Sequence, residues 1–398
     1  MKIETLTHHG MGRATDGSLI ARTLQGEEVE VQADGSVRIL TPSADRVAAP
    51  CRHYKSCGGC AVQHARDDYV AAWKIGIVAK ALSGQGIETD IAGITTSPAQ
   101  SRRRARLSGR RTKKGALVGF HARASDTLVA VPDCQLLLPE LTALIPTLEE
   151  LTVIAASRKA EVNFIVTHSL AGPDVAVLTE KPLTSGLRIE LAAFAQNHGL
   201  ARLVWNDEPV VTLQPPAQKF GRAHVVPPPG AFLQATAHAE AALVAEVKRI
   251  TKGADRIVDL FSGCGTFALP LAETAEVHAV ESEAAMLKAL DAGWRVATGL
   301  KRVSTETRDL FRRPLLPDEL TKFDAAVIDP PRAGAESQMG ELAQGGPSVV
   351  AMVSCNPVTF ARDARILISS GYAMQPVQVV DQFRWSNHVE VVAAFTRS

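Results

Sequence analysis

Cys355 stands between an apolar run, residues 348–353, and Pro357, which suits the first turn of a helix because the missing N–H is one a helix start leaves unpaired anyway. That arrangement puts the thiol at a strand's carboxyl end, where open α/β sheets hold their ligands. A helix N-terminus beside it favours thiolate over thiol. Cys355 is a candidate nucleophile, with a buried structural cysteine as the competing reading.

Two acids end other apolar runs in the same half of the chain. Residues 256–261 read as a first strand, Ser262-Gly263-Cys264-Gly265-Thr266 as a glycine turn, and residues 267–273 as the helix it opens. Glu281 follows Asp259 by 22 residues and ends a second strand, where a carboxylate can accept hydrogen bonds from both hydroxyls of a ribose. The turn lacks the three spaced glycines of a dinucleotide fingerprint, so an adenosyl cofactor fits better than NAD. Cys264 reads as a small packing residue, and Asp309, after the run at 303–305, could reach an adenine amino group. Asp329-Pro330-Pro331-Arg332 closes a further strand, the prolines stiffening the turn that carries the carboxylate. Methyltransferases acting on planar nitrogens carry a related turn with an aromatic fourth residue. Arg332 in that place argues against amine methylation.

Cys51, Cys57 and Cys60 are spaced by six and then three residues around Gly58-Gly59. Cys134 is the one cysteine left outside the nucleotide-like region, and four thiolates suit tetrahedral zinc or an iron–sulfur cluster. Zinc sites usually show two close pairs, whereas three local ligands and one distant one favour the cluster.

The elements that must position these groups fall into three expected units. Residues 1–46 hold short alternating runs broken by glycines, as in a small β-barrel. Residues 47–229 carry the cysteines, a basic run from Arg102 to Arg123 able to meet phosphates, and β-rich segments. After Pro227-Pro228-Pro229, residues 230–398 alternate strand and helix in the pattern of a doubly wound parallel sheet, closed by a hairpin at 373–395. The 398 residues are 46% hydrophobic and 21% charged, with formal net charge +1, so nucleic-acid binding would have to come from local cation clusters. No apolar run nears the roughly 18 residues of a membrane span, and no signal-like segment opens the chain; a cytoplasmic monomer without membrane contact is expected.

Taken together, these motifs resemble the RNA 5-methyluridine methyltransferases, which act on uracil C5 of tRNA and 23S ribosomal RNA. The resemblance rests on Cys51, Cys57-Gly58-Gly59-Cys60, Gln63, His64 and Cys134; on 259–267; on Asp329-Pro330-Pro331-Arg332; on Ser354-Cys355-Asn356-Pro357; and on His388-Val389-Glu390. It implies a class I, Rossmann-like S-adenosylmethionine-dependent methyltransferase domain of α/β class, a β-rich central domain with a [4Fe-4S] cluster on the four cysteines, and a TRAM-like, OB-like N-terminal barrel. It also implies that Gln234, Phe261, Gly263, Gly265, Thr266, Glu281, Asp309 and Asp329 line the S-adenosylmethionine site. Cys355 would add to C6 of a flipped-out uridine, Glu390 would remove the C5 proton, and Asp329 would hold the base or orient the ring. The barrel tilts the expected substrate toward 23S ribosomal RNA over tRNA. RNA cytosine-C5 methylation and a non-catalytic RNA-binding iron–sulfur protein are the alternatives. Two departures bear on substrate contacts: Thr236 where the family usually has asparagine, and Arg384-Trp385 where phenylalanine is commonly followed by proline.

Overall fold

The structure is a computed structural model that describes residues 1–397. Its C-terminal unit is built on one sheet whose strands run, in order across the sheet, Val303–Thr307, Glu276–Glu281, Arg256–Leu260, Ala325–Ile328, Val349–Ser354, Glu390–Thr396, Val377–Asp381 and Ile91–Thr96. The first five are parallel, and Glu390–Thr396 lies antiparallel to both of its neighbours. The order reverses at Arg256–Leu260, the switch point at which such sheets open a crevice. Period-two alternation decides the faces: Val350 and Met352 join one core layer, Ala351 and Val353 the other. Because Glu390–Thr396 runs backwards, its first residue lies at the same edge as Asp329 and Cys355, which follow the ends of parallel strands. Topology alone therefore gathers the two acids and the thiol.

The eighth strand, Ile91–Thr96, pairs in parallel with Val377–Asp381, and the helix Asp67–Ser83 packs on Pro357–Ser369. Val78, Leu82 and Ile87 enter the same core layer as Phe360 and Leu367. This sheet thus draws a strand and a covering helix from ahead of residue 230, where the sequence pattern places the division. Both segments are covered only through contacts some 280 residues distant in the chain, such as Val379 with Ile94, which local periodicity cannot register.

The central unit is a seven-stranded sheet from Arg104–Arg111 to Glu208–Thr212, antiparallel except where Gly172–Leu178 meets Arg202–Trp205. Helices Ile145–Ala155 and Ser185–Asn197 supply Leu148, Leu151, Leu187 and Leu191 to its core. At the N-terminus a three-stranded sheet, Ile3–Leu6 to Leu19–Ala21, and the hairpin Glu28–Val31 with Val37–Thr41 are bridged at Lys2–Glu28 around Ile3, Ala14, Ile20 and Val29. Among the described residues no helix is long and apolar enough to cross a membrane.

The start of the basic run is spent inside the protein. Arg103 is buried in an ion pair with Glu240 and donates to the Gln234 carbonyl at 3.2 Å; Arg104 donates to Gly230 O at 2.9 Å. These arginines stitch the central sheet to the C-terminal unit, leaving Arg106, Arg110, Arg111, Lys113, Lys114 and Arg123 as the exposed members.

Candidate active site

Asn356 caps the helix Pro357–Ser369: its Oδ1 accepts from Val358 N–H at 3.1 Å, and its Nδ2 donates to Arg332 O at 3.0 Å. The capping residue thereby ties the Cys355 turn to the Asp329-Pro330-Pro331-Arg332 turn. Cys355 itself is half-buried, and its thiol is pushed up to about 11, first by burial and then by the Glu390 and Asp329 carboxyls, against the opposing pull of Arg332. The bias toward thiolate expected from the helix start is outweighed by desolvation and two nearby acids, and Cys355 rests as a thiol.

Glu390 is 2% exposed and is pushed up to about 8 by burial and by Asp329. Burial pushes Asp329 up to about 7. Two like charges at one site disfavour double ionisation, so near neutrality the pair holds a proton between its members. Gln234 and Gln382 join the two acids. Gln234 Nε2 lies 3.5 Å from Asp329 Oδ2, Gln382 Nε2 donates to Gln234 Oε1 at 2.7 Å, and the same nitrogen donates to Glu390 Oε1 at 2.7 Å. No sequence motif indicates Gln382; its only signal is its place directly after a buried strand.

The glycine turn expected to hold a cofactor follows the strand Arg256–Leu260 and leads into a helix, Ala268–Leu271, shorter than the sequence suggests. Phe261 has φ +63, a conformation costly for an aromatic residue, and Gly265 has φ +91 with Leu290 and Leu269 within 3.0 Å of where a Cβ would stand. Over Gly263 that position is open, and the Ser262 hydroxyl beside it is buried without a partner. Thr266 ends the turn half-buried, and Cys264 packs in the core as expected. Glu281 Oε2 accepts from Gly263 N–H at 3.1 Å, while its Oε1 accepts from Ser282 and Glu283, so the carboxylate is fixed at the lip of the turn. Asp309 accepts from Phe311 N–H at 3.0 Å, and the Phe311 ring lies 5.4 Å from that of Phe261. An open space, an unpartnered hydroxyl and a fixed carboxylate suit an adenosyl ligand.

Outside Cys355 opens a groove of about 1070 Å³ between the N-terminal unit, the helix Asp67–Ser83 and the catalytic turns. Arg13, Lys80 and Arg332 line it, Tyr69 and Trp73 offer aromatic surface, and no Asp or Glu is among its described lining residues. In a chain of net charge +1 this is a marked local bias toward anions. Glu390 is buried and is not among the groove's described lining residues, although His388 and Val389 just before it are.

The two departures have structural roles. Thr236 caps the helix Ala237–Ile250 by accepting from Ala239 N–H at 3.0 Å, and its hydroxyl pairs with Ser97 at 2.8 Å. Arg384 binds Asp67 and the Ser97 carbonyl; Trp385 is buried beside Ala61, Val62 and Val70, and its carbonyl accepts from Ala61 N–H and Val62 N–H at 2.7 and 3.1 Å. The loop before Glu390 is thus fastened to the segment that follows Cys60.

Cys51, Cys57, Cys60 and Cys134 line one small cavity with Tyr54, Gln63 and Phe120. Burial pushes Cys60 up to about 12 and raises Cys57 and Cys134, each thiol also feeling the others' charge. Among the described residues no group of three His, Cys, Asp or Glu is arranged to hold a single metal ion. The four thiols nevertheless converge on one space. His64 is pushed down to about 4 by burial and meets Tyr54 Oη at 2.6 Å, a neutral packing partner to this cavity.

The sequence pattern of one family, tRNA (Uracil-5-)-methyltransferase, matches residues 223–397. An RNA methyltransferase of Brucella suis biovar 1 (strain 1330) is 42% identical over 393 residues, covering 98% of this chain and 95% of the relative. The 23S rRNA (uracil(1939)-C(5))-methyltransferase RlmD of Shewanella piezotolerans is 32% identical over 427 residues, 99% of this chain and 95% of its own length. Among solved structures, the Pyrococcus abyssi tRNA (uracil-54, C5)-methyltransferase in complex with S-adenosyl-L-homocysteine superposes with a TM-score of 0.76 at 20% identity, over 99% of this chain and 98% of that one. The class I methyltransferase fold is shared along the length.

Proposed function

This chain belongs to the tRNA (uracil-5-)-methyltransferase family of S-adenosylmethionine-dependent RNA methyltransferases, and from that premise we propose that it methylates C5 of a uridine in RNA, with 23S ribosomal RNA the favoured substrate. The observation that carries the reading is the position of Cys355, between an anion-receiving groove and the carboxyls of Asp329 and Glu390.

Uracil C5 is too weak a nucleophile to attack a sulfonium methyl directly. In the form with both carboxyls ionised, Cys355 gives its proton to Asp329 and adds to C6 as thiolate, with Arg332 offsetting the developing charge; C5 becomes enolate-like. S-adenosylmethionine supplies the electrophilic methyl that C5 takes up. Glu390 then removes the C5 proton, the C6–S bond breaks, and Asp329 returns its proton to the departing thiolate. The proton on Glu390 leaves to solvent, so the sum is one methyl gained and one proton released. Gln234, Phe261, Gly263, Gly265, Thr266, Glu281 and Asp309 are the residues proposed to bind the donor.

A uridine inside paired RNA must leave its stack to reach Cys355, at a cost of roughly a few kcal/mol. Phosphates on Arg13 and Lys80 and a base against Trp73 offset that cost, with the N-terminal unit acting as a TRAM-like RNA-binding module. The relative covering 99% of this chain acts on 23S rRNA, which supports ribosomal RNA over tRNA. Nucleoside mass spectrometry of 23S ribosomal RNA and tRNA from cells with and without the protein tests this: 5-methyluridine should disappear from the 23S fraction. Loss from tRNA alone would reassign the substrate, and loss of 5-methylcytidine instead would reassign the base.

For the four cysteines we propose a [4Fe-4S] cluster as a structural staple, because all four line one cavity while, among the described residues, no three are arranged around a single metal ion, and a cubane presents four separate irons to its ligands. Protein purified without oxygen should contain iron and acid-labile sulfide in equal amounts. One zinc and no iron would overturn the assignment.

A further inference from the structure

Gln382 directly follows the strand Val377–Asp381 and is 2% exposed. Its two amide protons serve Glu390 Oε1 and Gln234 Oε1, each at 2.7 Å, and its oxygen accepts from Ala235 N–H at 2.6 Å. Turning the amide over would set its oxygen against two acceptors and its NH2 against a donor, so one orientation is locked. Each end of this chain of contacts is anchored separately. Arg103 holds the 234–235 backbone, its N–H bonding to the Ala235 carbonyl at 2.9 Å and its side chain to Gln234 O. On the other side Asp381 pairs with buried Lys74 at 2.5 Å, and Lys74 also donates to Phe383 O and His388 O at 3.1 Å. The strand end and the loop are fixed without Gln382, which leaves its side chain free of a purely architectural duty.

We infer that Gln382 is a positioning residue that favours the ionised form of Glu390 and aims it for removal of the C5 proton, and couples it to Gln234 at the donor site. This rests on the methyl-transfer reading above. The groups facing Glu390 are Asp329, which disfavours its charge, Arg332, which favours it, and the Cys355 thiol, which carries none at rest; His388, two residues before it, is pushed down to about 4 by burial and is neutral. Gln382 and Arg332 are therefore the two influences that keep Glu390 from rising above about 8. Removing the Gln382 donor raises the pH at which Glu390 ionises. Because proton removal needs the ionised form, the acid limb of the rate profile moves to higher pH.

Two variants separate this role from packing. Gln382→Glu keeps an oxygen for Ala235 N–H and loses the donor; Gln382→Met loses the donor without adding charge. Single-turnover methylation by the full-length protein, on whichever unmodified transcript, 23S ribosomal RNA or tRNA, the unsubstituted enzyme accepts, is followed from pH 6 to 9.5. Both variants should shift the acid limb upward by about one pH unit or more, a tenfold loss at fixed pH below it, with KM for RNA unchanged and a longer-lived protein–RNA adduct. Calorimetry should find S-adenosylhomocysteine bound severalfold more weakly, since Gln234 loses the partner that orients it. An unshifted profile in both variants overturns the inference, as does a shift confined to Gln382→Glu, which would report the added charge alone. Failure of the unsubstituted enzyme to make 5-methyluridine would sink the underlying reading together with this one, whereas full wild-type turnover with unshifted variants would sink only this one.

Discussion

Cys355→Ala loses uridine methylation by on the order of 10⁴-fold or more, while RNA and donor binding persist. The size of the effect follows from the chemistry: without a group adding at C6, C5 has no route to the enolate-like form that accepts a methyl. Binding survives because the groove is made by other residues, Arg13, Lys80 and Trp73 among them, and the donor site lies on a different pair of strands. Removing a half-buried thiol whose charged form is already disfavoured costs the fold little. Filter binding of RNA beside a methylation assay separates loss of chemistry from loss of structure. A Cys355→Ala enzyme with even a tenth of normal turnover would show that the thiol is a bystander.

Glu390→Gln behaves differently: it forms the methylated adduct and fails to release it. Glutamine keeps an oxygen to accept from Gln382 Nε2, so the geometry around position 390 is preserved and only the proton acceptor is lost. Turnover should fall by roughly 10²- to 10⁴-fold, the usual worth of a general base. The protein should run as an RNA conjugate on a denaturing gel, with the methyl of labelled S-adenosylmethionine inside the conjugate. Release of 5-methyluridine at the wild-type rate would transfer the base role to another group, with Asp329 the nearest candidate.

Much of this site can be read along the chain because its parts obey local rules. Cys355 follows an apolar run and precedes a capping asparagine and Pro357, and the structure places it between a strand and a helix as that pattern implies. Glu281 ends the second strand beside the glycine turn for the same reason. What local pattern cannot supply is pairing over distance. The helix Asp67–Ser83 buries Val70, Lys74, Val78 and Leu82 at intervals of four, but a lysine at a core position breaks the apolar stripe. Only its partner Asp381, 307 residues on, makes that burial tolerable. The run Arg102–Arg104 reads as a phosphate-binding surface because charge runs are usually solvated, and its buried partners Glu240 and Gly230 O lie far along the chain. The resting charge of Cys355 depends on burial and on carboxyls 26 residues before and 35 after it, which outweigh the helix start next to it. Gln382 belongs to no motif, and its role comes from where its strand ends.

The central claim is that the Cys355 sulfur forms a bond to C6 of a uridine. It is tested most directly by replacing the target uridine with 5-fluorouridine in the RNA, where C5 carries no proton for Glu390 to remove and elimination cannot proceed. With S-adenosylmethionine present, the protein should become covalently joined to the RNA. Peptide mass spectrometry should find one methylated fluorouridine on Cys355 and on no other of the six cysteines. An adduct on a different residue, or complete reaction with no adduct at all, would contradict the account.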